Sequence, residues 1–194
     1  MSDAALRRRG FVLEGITLAW NVVGVGVLGI AAFAAGSVAL LGFGLDSLIE
    51  IGASIVVIWE LSGTDERRRH RALQLIGIAF VALAAYLLVQ ASIALATGAH
   101  ASTSPLGIAW TAVTAIAMFA LSAAKSRTGR ALDNPVLVSE GRVTFVDGVL
   151  AASVLVGLVL NAAFGWWWSD AIATLVIVGY AVREARELLR RPQP

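Results

Sequence analysis

Long apolar runs, rather than an alternation of polar and apolar positions, organise this chain. Six of them stand out, at about 11–33, 37–61, 72–97, 106–124, 136–164 and 168–189. Crossing about 30 Å of hydrocarbon at 1.5 Å per residue takes around 20 helical residues, and each run supplies that length or close to it. The pattern predicts an all-α membrane protein, a six-transmembrane-helix bundle forming a single transmembrane domain over 1–194 with no soluble domain. The first run is too long for the apolar stretch of a signal peptide, and a second run follows after Ala34-Ala35-Gly36, so it is expected to stay as a span.

Composition agrees. Hydrophobic residues make up 58% of the chain and charged residues 14%, where a soluble domain carries about 25% charged residues. That excludes a soluble globule, a nucleic-acid-binding module and a disordered tail. With no cysteine, a disulfide framework, a zinc knuckle and a thiol nucleophile are excluded as well. The fifteen basic residues fall ahead of span 1, between spans 2 and 3, between spans 4 and 5, and at the end of span 6. The positive-inside rule therefore expects both termini to be cytoplasmic. In this reading Arg67–Arg71 and the group Lys125, Arg127, Arg130 and Arg142 are topology determinants. The outer loops hold His100, read as a solvated residue, and Trp166-Trp167-Trp168, read as an aromatic belt at the headgroups. Fourteen arginines against one lysine, with abundant Ala and Gly, suggest a GC-rich bacterial source and hence the inner membrane.

The informative residues are those that do not belong in hydrocarbon. A carboxylate at mid-span costs about 2.5–3.5 kcal/mol even on lenient insertion scales, and marks a functional position by default. Span 2 carries Asp46 and Glu50, four residues apart and on one helix face, with no basic residue in the span to offset them. A cation, protons or both must do so. Span 5 supplies Glu140, Thr144 and Asp147 as a second stripe. Counted from the outer ends, Asp46 lies about 14 Å deep, Glu50 about 20 Å and Asp147 about 27 Å. A shared site between spans 2 and 5 is therefore permitted, with helix tilt closing the gap between Glu50 and Asp147. Asn21 in span 1 and Thr144 are candidate cavity-lining residues. Glu14 and Glu60, at the cytoplasmic span ends, are expected to pair with basic residues at the surface, with a cytoplasmic approach as the alternative place for Glu14.

The stretch Ser37-Val38-Ala39-Leu40-Leu41-Gly42-Phe43-Gly44-Leu45-Asp46-Ser47-Leu48-Ile49-Glu50 resembles the second transmembrane helix of the cation diffusion facilitator family, where an apolar run reaches an acid-Ser-x-x-acid motif. The acidic pair Glu140 and Asp147, and the opening Gly165-Trp166 followed by Asp170-Ala171-Ile172-Ala173, are similar to that family's fifth and sixth helices. The resemblance implies efflux of a divalent metal cation by proton antiport, with Asp46, Glu50, Asp147 and Glu140 as metal ligands. It implies no enzymatic activity and no cofactor, the metal being substrate. It also implies a homodimer; spaced alanines of span 3 such as Ala84, Ala91 and Ala94 would let helices approach closely. The chain resembles the short branch lacking a cytoplasmic C-terminal domain. It departs at Val143, where zinc-transporting members carry His or Asp. The donor set is then all oxygen, so manganese and ferrous iron join zinc, the first choice, as cargo. Two other readings stay open: an accessory or regulatory membrane protein without transport of its own, and an intramembrane metal-dependent enzyme. The Asp-rich motif of membrane phosphotransferases is missing after Asp147-Gly148.

Overall fold

The computed structural model describes residues 2–35, 38–63, 65–98, 104–166 and 168–190, apart from the side chains at 38, 39, 42, 161, 162, 169–174, 176 and 177. Among these residues the chain forms six helices and no strand: α1 (Asp3–Ala35), α2 (Val38–Leu61), α3 (Glu66–Thr97), α4 (Pro105–Ala131), α5 (Pro135–Phe164) and α6 (Ser169–Leu189). Four stretches, Asp3–Ala35, Glu66–Thr97, Pro105–Ala131 and Pro135–Leu160, are long and apolar enough by length and composition to cross a bilayer. The chain is an all-α membrane protein. His100 and Trp167 lie outside the described residues; Trp166 and Trp168 are exposed and stack at 5.8 Å.

Local chemistry sets the helix ends. The Asp65 carboxylate accepts the Arg67 N–H at 3.1 Å and caps α3, which closes on Gly98 at φ 56°, a left-handed conformation that glycine tolerates best. Ser104 accepts the Gly107 N–H at 3.1 Å ahead of Pro105, whose missing N–H costs nothing in a first turn. Asn134 does two jobs. Its Oδ1 accepts the N–H groups of Val136 and Leu137 at 2.9 and 3.0 Å, while its amide donates to the Glu60 carboxylate at 3.0 and 3.2 Å. Asn134→Ala removes a cap and strands a buried carboxylate. We expect it to destabilise the protein by about 1–3 kcal/mol, read as a lowered thermal midpoint in detergent.

Several helices run past the apolar stretches that announce them. α4 continues to Ala131 and α5 begins at Pro135, so only Leu132, Asp133 and Asn134 connect them. The four basic residues expected between spans 4 and 5 are thus helical. Arg127 and Arg130 are exposed on α4, Arg142 on α5 pairs with Glu184 and Glu187 of α6, and Lys125 is fully buried. Reading Lys125 as a loop residue is corrected here, because the helix carries it on into the bundle.

In packing, α1, α2, α5 and α4 form a closed ring of neighbours, and α3 pairs with α6 beside it, touching α2 and α5. Apolar side chains such as Leu28, Phe43, Val57, Phe80, Leu137 and Leu150 fill the core. Trp20 of α1 stacks on Trp110 of α4 at 5.1 Å, and its indole N–H donates to Thr114 at 3.1 Å. Ala84 and Ala91 of α3 are buried within the chain's own packing.

Candidate functional site

The polar residues of the ring meet along its inner face. Asp46, Ser47, Glu50 and Ser54 of α2, Glu140, Thr144 and Asp147 of α5, Lys125 of α4, and Glu14, Thr17 and Asn21 of α1 are all buried. The i, i+4 spacing in α2 and the i, i+4, i+7 spacing in α5 aim both stripes inward.

The antiparallel register between the two helices differs from the depth count. Asp46 faces Asp147, and Glu50 meets Thr144, whose hydroxyl lies 2.6 Å from Glu50 Oε1. The pairing is shifted because α5 has 30 residues against 24 for α2. Counting from the Phe164 end of the longer helix therefore places Asp147 too deep. Neither Asp147 oxygen has a hydrogen-bond partner among the described residues other than the Asp46 carboxyl itself. Tyr86 of α3 interacts electrostatically with Asp46, and its buried hydroxyl likewise has no partner among them.

Toward the Pro135 end of α5 from this pair stands the one lysine of the chain. Its Nζ donates to Glu140 Oε1 at 2.6 Å, to Glu14 Oε2 at 3.1 Å and to Thr144 Oγ1 at 3.1 Å. An ammonium has three hydrogens, and these three acceptors use them all. A planar guanidinium with five donors does not match such a tripod, which gives a physical reason for lysine here in an arginine-rich chain. Thr144 lies 3.1 Å from Glu140 Oε1 as well. With one hydrogen to give, it favours the shorter contact to Glu50.

The result is a continuous buried series: Asp147, Asp46, Glu50, Thr144, Glu140, Lys125, Glu14. Five carboxyl groups in it share one ammonium, and Glu14 Oε1, Glu50 Oε2 and Glu140 Oε2 are left without hydrogen-bond partners among the described residues. In these described residues no three His, Asp or Glu side chains stand close enough to hold one metal ion. The carboxylates converge as pairs rather than as a single cage.

Set against the sequence reading, Asp46, Glu50, Glu140, Thr144 and Asp147 come together. Asn21 is buried nearby, with its amide donating to Thr17 O of its own helix at 3.0 Å. Two expectations are corrected. Glu14 is not surface-paired but buried against Lys125, and Glu60 is buried against Asn134 rather than paired with a basic residue. In both cases a residue far away in sequence, on α4 for Glu14 and in the α4–α5 connection for Glu60, supplies the partner that sequence proximity had assigned to nearby arginines. Span 2 does have a basic counterpart, reaching Glu50 through Thr144. Lys125 and Tyr86 were missed as site residues; being the sole lysine was the available signal for the first. The Asp170 side chain lies outside the described residues.

A family model for the cation efflux transmembrane domain matches residues 73–191, more than half of the chain. The match includes Tyr86, Lys125, Glu140, Thr144 and Asp147, and begins after Asp46 and Glu50. With acidic stripes on facing membrane helices and this match over α4, α5, α6 and most of α3, the chain belongs to the cation diffusion facilitator family, whose members are cation efflux transporters and not enzymes.

Proposed function

We propose that this protein exports a divalent metal ion in exchange for protons, through a carboxylate site between α2 and α5. The observation that carries the reading is the buried Asp46–Asp147 pair, with both Asp147 oxygens lacking a donor among the described residues other than the Asp46 carboxyl itself. Two carboxylates brought together in that way call for a cation or protons between them. Asp46 and Asp147 are the proposed cargo ligands, and Glu50, which does not complete a three-carboxylate cage in this arrangement, is proposed to close on the ion when it binds. Glu140 belongs to the cytoplasmic approach, and Thr144 and Asn21 line the path. Both termini are taken as cytoplasmic, with all six helices crossing the bacterial inner membrane as one domain. The working unit is taken as a homodimer paired through membrane helices. Because Ala84 and Ala91 are already used internally, the outer row Ile78, Val81 and Leu88 of α3 is the available surface.

Zinc is the first choice of cargo, and the all-oxygen donors keep manganese and ferrous iron in competition. Metal binding to protonated carboxyl groups releases protons, so antiport needs no separate coupling device. The test is the purified chain alone in liposomes, with zinc, manganese and ferrous iron presented in turn and internal metal and pH followed together. We expect accumulation of at least one ion with an opposing proton flux. No transport by the chain alone, together with a stoichiometric co-purifying partner, would favour the accessory reading.

A further inference from the structure

Lys125 occupies a place where a metal ion would be expected to stop. Counted along α5 from Pro135, Glu140 lies about 8 Å in and Asp147 about 18 Å. An ion approaching from the Pro135 end reaches Glu140 and Glu14 first. These two glutamates are fully buried, on α5 and α1, and each has an oxygen without a partner among the described residues. Left to themselves they would form, with Thr144, an oxygen trap for a divalent cation. A transport path needs sites that attract an ion and also let it go. The ammonium at 2.6 and 3.1 Å from the two carboxylates already fills that trap.

We infer that Lys125 is a tethered counter-cation: it keeps Glu14 and Glu140 from retaining the cargo and makes this cluster a passage instead of a second binding site. The ammonium offsets the charge of the carboxyl groups it touches, so the cluster draws a cation inward too weakly to hold one. The covalent stem limits where the ammonium can go, so it returns to the same oxygens after each passage. The mobile proton or metal that would otherwise neutralise the pair is replaced by a charge that never leaves the protein. This inference rests on the transport reading above, since it assigns the passage to the same path.

The experiment separates the two. Zinc bound per chain is measured by elemental analysis after equilibrium dialysis, first for the parent protein and for Asp46→Asn/Asp147→Asn. The transport reading expects the double variant to lose its bound zinc; if it does not, that reading fails at this step. Lys125→Met is then added to the double variant. We expect about one zinc per chain to reappear, held by the freed glutamates. In the otherwise native chain, Lys125→Met should bind zinc beyond the parent's amount while turnover falls about 10- to 100-fold, the scale on which altering groups around metal ligands acts. Lys125→Arg keeps the charge and should add no zinc. If Lys125→Met does not purify as a folded protein, Lys125→Gln, which retains a donor for one glutamate, carries the same measurement. Unchanged zinc on neutralising Lys125 overturns the inference, as does an equal gain with Lys125→Arg. Neither of those results touches the assignment of Asp46 and Asp147.

Discussion

Proteoliposomes carrying Asp46→Asn or Asp147→Asn are expected to accumulate no zinc above protein-free vesicles, with zinc affinity reduced by more than about 100-fold, beyond the range seen when only the groups around metal ligands are altered. Asparagine keeps the shape of the side chain and removes its charge. The two carboxyl groups face each other in a buried site, with no donor for Asp147 among the described residues other than the Asp46 carboxyl itself. Removing one therefore relieves a like-charge contact, and the folded protein should be as stable as the parent or more so. That combination of lost binding and retained stability separates a ligand from a structural residue. The parent should also bind zinc more weakly as pH falls, because protons and metal compete for the same oxygens and each bound metal must release protons. Glu140→Gln should give a milder defect, in keeping with a place on the approach. If Asp46→Asn and Asp147→Asn both transport like the parent, the carboxylates are structural and the mechanism proposed above is lost.

Gly141→Val should be strongly damaging although the residue carries no chemistry of its own. Gly141 lies where α5 presses on α4. A Cβ there would sit 2.8 Å from Ser126 Oγ, 3.2 Å from the Ser126 backbone nitrogen and 3.3 Å from Lys125 Cβ. Ser122 Oγ also donates to the Gly141 carbonyl at 2.6 Å. Replacing a mid-helix glycine recovers less than about 1 kcal/mol of helix propensity, and less for valine than for alanine. Overpacking a tight interface costs about 1–3 kcal/mol. The clash wins, and what gives is the α4 backbone that aims Lys125. We expect a lowered thermal midpoint in detergent and a loss of transport of at least tenfold, roughly the lower bound for disturbing groups around metal ligands. Gly26→Ala is the contrasting case. Nothing lies within 4 Å of a Cβ at that exposed position, so propensity alone acts and the midpoint should hold or rise. Equal behaviour of the two variants would mean that the α4–α5 contact is slack.

What was legible in the sequence was what period and hydropathy encode. The six helices follow the six apolar runs, and the acidic stripes of α2 and α5 follow from residue spacing alone. Helix ends were less legible, because a helix does not stop where hydrocarbon stops: α4 keeps its backbone hydrogen bonds beyond Ala124 and carries Lys125 with it. Inter-helix register was not legible either. Asp46 meets Asp147, and Glu50 meets Thr144, because of the relative lengths and offset of two helices far apart in sequence. Partner choice for a buried charge is a three-dimensional property. Glu14 has Arg7, Arg8 and Arg9 nearby in sequence, yet its partner is 111 residues away.

The sealed position of Lys125 has a consequence for chemical labelling. Because this chain has a single lysine and that lysine is wholly buried, an amine-reactive reagent finds no lysine side chain within reach while the ring is closed. Any adduct formed on a lysine must have formed during an opening of the bundle. Its rate of appearance is then a clock for how often the core is exposed to water, read by mass at one known position.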